Sequence, residues 1–526
     1  MSATSGGDWS PSEKRSTANN DRPKGSMSKL IEDHIYLASI LGSMLISFWL
    51  IANDDIIYRD AVLYLTVARN FLDGGLISAF GTFPWPFYGI SIAIVHKITG
   101  LDLEHSAYLL TIAFEAIISV TFVKLYICIS PEKSRPWVAL LFILTFPILN
   151  EYRGEILRGY GFWAFTLMAT YHFILYFQHG RLRNAIAWQA LITVAALFRP
   201  EAIVIAAAGP LYFLFLFKRP FLDRLKQTLQ LQFIFLLLAA SFLLTMILSS
   251  RMRDMVFSNL PMQFEYMSIT LVLANFNAAT QNLIDHVLPF EYSERYSTLI
   301  LGSGLLIMLL FKIINNMGLV YSAVWLVGLR RKWTQLKPEY YIILYFSLIS
   351  LSILVVFVSS RLFVSSRYTV MLLLFLGLAF TQYFDAFLRI LQENNRKYLP
   401  ALLYVFIGAL FLGSMVSTSA GKTPIKLAAQ YSIPLINPGD KTACNDNRFF
   451  FYSDFSCSFH PDLNKELENE ASRKKIEDDF QYLLLWVKNE DQPLQNALNN
   501  NKNLLHIKEF SNRDNDRGLL YKIQNR

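Results

Sequence analysis

The chain has 526 residues, of which 53% are hydrophobic and only 17% carry a charged side chain. A soluble protein of this length has roughly a quarter charged residues, so the composition indicates a membrane protein. The net charge is +8, but the basic residues stand in short clusters between apolar runs. That pattern is typical of cytoplasmic loops and not of a nucleic-acid-binding surface. We therefore expect a lipid bilayer, and no nucleic acid, among the partners of this chain.

The N-terminal segment, 1–33, is rich in Ser, Asn, Lys and Arg, and we predict a disordered cytoplasmic tail there. The region 34–416 contains about eleven apolar runs near the length that crosses a bilayer, so we predict a polytopic α-helical membrane protein. The predicted spans lie at approximately 34–52, 107–129, 137–149, 162–178, 185–198, 202–217, 229–249, 316–329, 340–358, 369–387 and 399–416. Because no small-residue cleavage site follows the first run, we interpret it as a retained helix.

The basic clusters between these runs predict the orientation. They lie near 14–24, 133–135, 181–183, 218–226, 330–332 and 389–397. Eleven spans place every cluster on one side, which the positive-inside rule makes cytoplasmic. The segment 53–106 and everything after 417 then lie on the outer side. Two apolar segments do not fit as spans: we expect 86–98 to be a helix at the outer interface and 297–312 to be re-entrant or interfacial.

The C-terminal segment, 417–526, is polar and predicts a small α/β domain outside the cytoplasm. The runs typical of strands are Arg448–Tyr452, Tyr482–Val487, Leu504–Phe510 and Gly518–Ile523, and the charged run Pro461–Asp479 is typical of a helix. Cys444 and Cys457 can form a disulfide in such a compartment. The alternative is a domain that only stabilises or docks and performs no chemistry.

The first outer loop, 53–106, carries three carboxylates close to the end of the first span: Asp54, Asp55 and Asp60. A carboxylate at the low-dielectric edge of a membrane has a raised pKa unless a cation compensates it. Such a group is suited to accept a proton from a hydroxyl nucleophile. The pattern from Asp60 onward is helical, and Tyr64 lies on the same helix face. An ordinary solvated loop rich in Asp is the alternative.

The run RDAVLYLTVARNFLDGG, followed by FPWPFYGISIAIVHKITG, resembles the first outer loop of GT-C superfamily glycosyltransferases. More narrowly, it is similar to the bacterial relatives of protein O-mannosyltransferases and lipid A aminoarabinose transferases. Asp60, Tyr64 and Arg69 match the spacing of that loop, and Trp85 and Tyr88 lie in the aromatic element that follows. The family often has Asp-Glu at the key position, whereas Ala follows Asp60 here, so Asp54 and Asp55 stay open as alternatives for the base.

Further elements of the resemblance follow in chain order. Its polar residues are Glu151, Glu155 and Arg158 in the second outer loop, Arg199 at an outer turn, and Arg361, Arg367 and Tyr368 before a late span. The tail segments RFFFYSDF and YLLLWVKNED resemble the outer α/β domain of many family members. The resemblance therefore implies a GT-C-like fold with a soluble outer domain.

The resemblance also implies an activity. Such an enzyme moves a hexosyl or pentosyl unit, with inversion, from a polyprenyl-phosphate donor to a glycan, lipid or protein acceptor at the outer face of the bacterial inner membrane. The catalytic residues that it implies are Asp60, Asp55, Asp54 and Glu155. The residues expected to bind the donor phosphate are Arg199, Arg367, Tyr368, Arg361, Tyr64 and Arg69. Those expected to contact the acceptor are Glu151, Arg158, Trp85 and Tyr88.

Each of these side chains also has a structural interpretation. An arginine at this depth can be an anchor that reaches the interface, and Glu151 or Glu155 can form a loop salt bridge with Arg153 or Arg158. The histidines have no metal-ligand spacing and no Gly-rich phosphate loop occurs, so no metal site and no certain cofactor follow from the sequence. Some members of the superfamily use a divalent metal, which stays open.

Two other functions compete with glycosyl transfer. A transporter or flippase of lipid-linked sugars would also need outer arginines around a cavity, but it predicts inverted repeats, and we see no convincing repeat. A non-catalytic membrane scaffold gives no reason for the spacing from Asp60 to Arg69.

Overall fold

The computed structural model describes residues 34–250, 269–288, 290–394, 398–416, 421–437, 439–453 and 457–524. The predicted N-terminal tail, 1–33, lies outside the described residues, as do Arg396 and Lys397 of the last basic cluster.

Most of the described chain before residue 416 forms a bundle of α-helices. Its helices are α1 Ile35–Ala52, α2 Arg59–Thr82, α3 Phe87–Thr99, α4 Leu103–Ile129, α5 Pro136–Leu144, α6 Pro147–Tyr152, α7 Gly159–His179, α8 Leu182–Phe198, α9 Glu201–Ala208, α10 Phe221–Leu248, α11 Ile269–Val287, α12 Glu291–Glu294, α13 Ser297–Met317, α14 Leu319–Arg331, α15 Pro338–Arg361, α16 Ser366–Glu393 and α17 Tyr398–Ser414. Among the described helices, α1, α4, α10, α13, α15 and α16 are long and apolar enough to cross a membrane, and four shorter apolar helices accompany them. The predicted polytopic α-helical class is therefore confirmed.

Helix α16 forms the centre of the bundle. Almost every residue from Thr369 to Ala386 is buried, because α4, α5, α14 and α15 pack around it. Helix α10 has the opposite environment: only 6% of its apolar window is buried inside the protein. An apolar helix left uncovered by protein is suited to face lipid.

Contacts gather the predicted outer and inner segments at opposite ends of the bundle. At one end, the guanidinium of Arg367 donates to Asp60, which belongs to the first outer loop. At the other end, Arg135 Nε donates to Asp385 Oδ1 over 2.7 Å, next to the last basic cluster. This grouping agrees with the predicted topology, while the side that each end faces stays a prediction.

Some predicted spans differ in detail from the observed helices. The run 137–149 is divided into α5 and α6 because Pro147 has no N–H and cannot continue a helix. The segment 297–312 belongs to the continuous helix α13, so the expectation of a re-entrant segment is wrong, while the interfacial alternative stays a prediction. Helix α13 ends at Met317, and Gly318 follows it with a φ of 90°, a conformation that glycine adopts readily.

The first outer loop folds as two helices, α2 and α3. The helical backbone of α2 is interrupted by a kink at Gly75, where φ is 68° and ψ is −157°, and the helix then continues to Thr82. Helix α3 is the short helix expected over 86–98, and Gly100, with φ at 73°, follows its last residue.

The described part of the C-terminal segment forms a five-stranded sheet with helices. Its elements are α18 Thr423–Ser432, β1 Thr442–Cys444, α19 Arg448–Ser453, β2 Cys457–Phe459, α20 Leu463–Glu468, α21 Glu470–Asp479, β3 Tyr482–Val487, α22 Gln492–Asn499, β4 Leu504–Ser511 and β5 Arg517–Ile523. The strand order is β2-β1-β3-β5-β4. Strand β1 pairs in parallel with β2 and β3, and β5 pairs antiparallel with β3 and β4. The predicted small α/β fold is confirmed.

The prediction of a strand over Arg448–Tyr452 is wrong, because these residues belong to helix α19. The backbone N–H of Arg448 donates to Asp446 Oδ1 over 3.0 Å, so an aspartate begins this helix as a local cap. The three-residue strands β1 and β2 were missed because such short runs show no alternation. The disulfide between Cys444 and Cys457 is present and joins the end of β1 to the start of β2.

Candidate functional site

An ion pair joins the starts of two helices at the end of the bundle that is predicted to face outward. Asp60 lies in the first turn of α2 and Arg367 in the first turn of α16, and Arg367 Nη1 donates to Asp60 Oδ2. The two side chains are 307 positions apart in the sequence and are 35% and 23% exposed. The pair is therefore fixed in position but still reachable by a molecule at the surface.

Two tyrosines flank this pair. Burial raises the pKa of the Tyr58 hydroxyl, and the charges that act on it next come from Glu155, Arg367 and Asp60. Burial likewise raises the pKa of Tyr64, on which the charges of Arg158, Asp60, Arg199 and Arg367 act. Charged groups from four segments that are predicted to lie outside thus converge around these two hydroxyl groups.

A cavity of about 520 Å³ opens beside the ion pair. Side chains from α7, α9, α15 and α16 line it, and most of them are apolar, including Phe162, Trp163 and Leu354. Its charged lining residues are three arginines, Arg158, Arg199 and Arg361, and one carboxylate, Glu201. The charged part of the cavity therefore has a formal excess of two positive charges, and it lies next to apolar walls.

Tyr368 connects the cavity to the ion pair. Its ring lines the cavity, and the guanidinium carbons of Arg199 and Arg367 lie 5.1 Å and 5.3 Å from the ring centroid. Arg199 also donates to Glu201 and lies 5.7 Å from the Phe162 ring centroid. A cation over an aromatic face is stabilised by the ring quadrupole, so these guanidinium groups are held in fixed positions.

Several of the predicted site residues come together here. Asp60, Arg367, Tyr368, Arg199 and Arg361 all belong to the ion pair or to the cavity. Arg158, expected on the acceptor side, instead lines the cavity, and its guanidinium carbon lies 5.2 Å from the Phe83 ring centroid. The structure therefore brings together arginines from three segments that are predicted to lie outside: 150–161, 199–201 and 359–368.

Arg69 does not join this group. It is exposed, and it is absent from the described residues that line the cavity. It follows Asp60 by nine residues, or two and a half turns of an α-helix, so its side chain leaves α2 on the face opposite Asp60. Tyr64 follows Asp60 by four residues, so it lies on the same face of α2 as Asp60, and its side chain is buried.

The two aromatic residues expected on the acceptor loop have structural contacts. Trp85 Nε1 donates to the carbonyl oxygen of Ala196 over 2.9 Å, which ties the loop to the end of α8. Tyr88 is 1% exposed, and its ring centroid lies 5.1 Å from that of Tyr64 in an edge-to-face arrangement. Glu151 is exposed on α6.

The alternative carboxylates for the base lie in different surroundings. Asp55 Oδ2 accepts from the backbone N–H of Gly421 over 2.7 Å. Asp54 lies so close to Gly154 that a methyl group on this glycine would collide with Asp54 Oδ2. Burial, together with the charge of Asp55, raises the pKa of Asp54 to about 7, although Lys422 lowers it.

Glu155 is buried, and its charge acts on Tyr58 and on Lys422. The loop salt bridge considered for Arg153 is replaced by another: Arg153 Nη2 lies 3.2 Å from Glu115 Oε2 of α4, and both side chains are fully buried. Arg153 also donates to Ser43 Oγ over 2.8 Å, so it ties α1, α4 and the end of α6 together.

Sequence reasoning missed Glu201, Tyr58 and Arg59 as parts of this site. Glu201 had a signal in the sequence, since it follows Arg199 in an Arg-Pro-Glu turn that is predicted to lie outside. Tyr58 and Arg59 directly precede Asp60, but their importance depends on contacts with distant segments. Among the described residues, no group of three His, Cys, Asp or Glu side chains is arranged to hold a metal ion.

No protein-family model matches the chain, and no curated protein sequence does. Solved structures do match. ArnT from Cupriavidus metallidurans in the apo state shares 12% identity with a TM-score of 0.43, over 94% of this chain and 98% of that chain. The same protein bound to undecaprenyl phosphate gives a TM-score of 0.49 at 12% identity, over the same shares of both chains.

Arabinofuranosyltransferase AftD from Mycobacteria also matches, with 12% identity and a TM-score of 0.48, over 94% of this chain and 40% of that chain. ArnT is a lipid A aminoarabinose transferase, so the predicted resemblance is confirmed as a likeness between structures. With identities of 12% and TM-scores below 0.5, this likeness carries no argument about chemistry. The chemistry of this chain follows from its own residues.

Proposed function

We propose that this chain is a membrane glycosyltransferase that moves a sugar from a polyprenyl-phosphate donor to an acceptor at the outer face of the bacterial inner membrane. The observation that supports this most directly is the cavity, which combines apolar walls with arginines at its charged part. A polyprenyl phosphate has matching chemistry, because its chain is hydrocarbon and its phosphate is an anion. One arginine side chain can donate two parallel hydrogen bonds to the oxygens of a phosphate, and these bonds are stronger where water is excluded.

The reaction that fits this arrangement is a single displacement. An acceptor oxygen or nitrogen attacks the anomeric carbon, the bond from that carbon to the phosphate oxygen breaks, and the acceptor proton passes to Asp60. Arg367 orients Asp60 through its hydrogen bond to Oδ2. Arg158, Arg199 and Arg361 stabilise the negative charge that develops on the leaving phosphate.

Asp60 is the preferred base for two reasons. Its partner Arg367 contacts the ring of Tyr368, which lines the cavity, so the carboxylate lies beside the place where the phosphosugar would bind. Its side chain is also 35% exposed, which leaves access for an acceptor. Asp55, by contrast, binds the backbone of the C-terminal segment.

We propose three regions along the chain: a cytoplasmic tail over 1–33, the transferase bundle over 34–416, and an outer domain over 417–526. The Cys444–Cys457 disulfide supports an outer location for the last of these, because disulfides persist in oxidising compartments.

The test compares Asp60→Asn with Asp73→Asn, a matched control on an exposed part of the same helix. Cell-envelope glycan and lipid profiles are recorded in cells with no gene, the wild type or either variant. We expect Asp60→Asn to lose transfer by on the order of 100-fold or more, the usual loss of a general base, and Asp73→Asn to keep it.

A binding measurement with purified protein in nanodiscs completes the test. Undecaprenyl phosphate should bind to the wild type and to Asp60→Asn alike, and less tightly to Arg361→Gln. Full restoration of the profile by Asp60→Asn would show that the base is another residue. Tight binding by a wild type that changes no envelope product would favour a transporter of lipid-linked sugars over a transferase.

A further inference from the structure

The residue directly before the proposed base is held by the C-terminal domain. Arg59 Nε lies 3.2 Å from Asp446 Oδ2, and Arg59 Nη2 donates to the carbonyl oxygen of Asn445 over 3.2 Å. In the opposite direction, Asn447 Nδ2 donates to the carbonyl oxygen of Arg59 over 3.0 Å. Three consecutive residues that follow β1 thus contact both the side chain and the backbone of Arg59.

The same domain holds the residues before Arg59. The backbone N–H of Ile57 donates to the hydroxyl of Tyr452 over 2.9 Å, and Asp55 Oδ2 accepts from the backbone N–H of Gly421 over 2.7 Å. The segment from Asp55 to Arg59 is therefore attached at three positions to residues more than 360 places later in the chain.

Helix α2 needs such external support at its start. Its N-cap residue is Tyr58, which makes no side-chain capping hydrogen bond. An uncapped helix leaves its first N–H groups without partners and tends to fray. Asp60 lies in this first turn, so fraying would move the proposed base.

Neighbouring side chains fix the position of the Asp446 carboxylate and keep it ionised. It is 2% exposed, and Arg448 donates to both of its oxygens, over 2.8 Å from Nε and 2.7 Å from Nη2. Burial alone would raise the pKa of Asp446, but Arg448 and Arg59 hold it below its usual range. The carboxylate therefore has a fixed position before it meets Arg59.

We propose that the C-terminal domain is part of the catalytic machinery, and that Asp446 is a positioning residue that acts through Arg59 on Asp60. This inference rests on the proposed function of Asp60. The role of the domain is then to hold the first turn of α2, so that the carboxylate of Asp60 stays beside the cavity. Small displacements of a reacting group reduce rates strongly, whereas the affinity for a lipid phosphate that the cavity arginines bind is unaffected.

The experiment uses the full-length protein in nanodiscs with Arg59→Gln, Asp446→Asn and the double variant. Asp462→Asn is the control. This aspartate also forms an ion pair, with 3.7 Å between its Oδ1 and Nζ of Lys465, but the pair is exposed and lies within the C-terminal domain. We expect each single variant to lower kcat by on the order of 10- to 100-fold, with unchanged binding of undecaprenyl phosphate. We expect the double variant to be no slower than the slower single one, since both changes break the same link.

Hydrogen exchange over residues 55–62 supplies a measurement that does not depend on activity. It should become faster in Arg59→Gln and Asp446→Asn, and stay unchanged in Asp462→Asn. Unchanged exchange would overturn the inference, as would losses of kcat that multiply in the double variant, because a general loss of domain stability would then explain them.

The two proposals fail in different ways. A wild type that transfers no sugar removes the proposed function, and with it the catalytic part of this inference. Faster exchange over residues 55–62 with full transfer activity overturns this inference alone, because the first turn of α2 would then be free to move without cost to the reaction.

Discussion

Asp54 lies partly buried near Gly154, Asp55 and Lys422, two residues past the end of α1. Burial and the charge of Asp55 raise its pKa to about 7, against about 4 for an aspartate in water. A carboxyl group with a raised pKa binds its proton more tightly in the folded protein than in the unfolded chain. Its contribution to stability is therefore full below pH 4 and falls as the pH rises towards 7.

Replacing Asp54 by Asn removes this pH-dependent penalty. We expect the difference in Tm between Asp54→Asn and the wild type to move in favour of the variant as the pH rises from 5 to 8. Asp73→Asn removes an equally negative but exposed side chain, and its difference from the wild type should stay constant. Thermal unfolding of detergent-solubilised protein at four pH values measures both. A constant difference for Asp54→Asn would show that its carboxyl group titrates as it does in water.

Between elements, the contact of α2 with α3 decides where the Asp60 helix lies. Gly89 of α3 approaches the backbone of α2 so closely that a Cβ atom would lie 2.9 Å from the carbonyl oxygen of Tyr64 and 2.8 Å from Cβ of Val67. Because the first of these is a backbone atom, it cannot move aside without a shift of the helix. The glycine therefore permits the packing that buries Tyr64 and Tyr88 together.

We expect Gly89→Ala to separate the two helices and to lower the free energy of unfolding by about 1–3 kcal/mol, the usual cost of an overpacked contact. Gly81→Ala is the control, since a Cβ atom there meets nothing within 4 Å and alanine favours a helix. Unfolding in detergent followed by Trp fluorescence measures both variants. Equal stability of Gly89→Ala and the wild type would show that α3 can adjust without cost.

At the scale of the whole molecule, hydropathy and charge predict the helical bundle because each span in lipid must satisfy its own backbone hydrogen bonds. The acidic first loop could likewise be predicted, since Asp60 and Tyr64 share one helix face. The pairing of Asp60 with Arg367 could not, because it joins segments 307 residues apart. Neither could the contact of Arg59 with Asp446, since it depends on how the C-terminal domain docks. In contrast, helical periodicity alone places the Arg69 side chain on the face of α2 opposite Asp60, away from the donor site in which the resemblance had placed it.

The orientation of the bundle makes a prediction for three single-cysteine positions on a Cys128→Ser background. Asp73 on α2 and Glu490 after β3 are exposed in segments that are predicted to lie outside. Arg331 is exposed at the last residue of α14. The positive-inside rule places the last of these in the cytoplasm. In spheroplasts, a membrane-impermeant maleimide should label Asp73→Cys and Glu490→Cys at once, and Arg331→Cys only after permeabilisation. Labelling of Glu490→Cys only after permeabilisation would place the disulfide-bonded domain in the reducing cytoplasm and exclude an outer reaction.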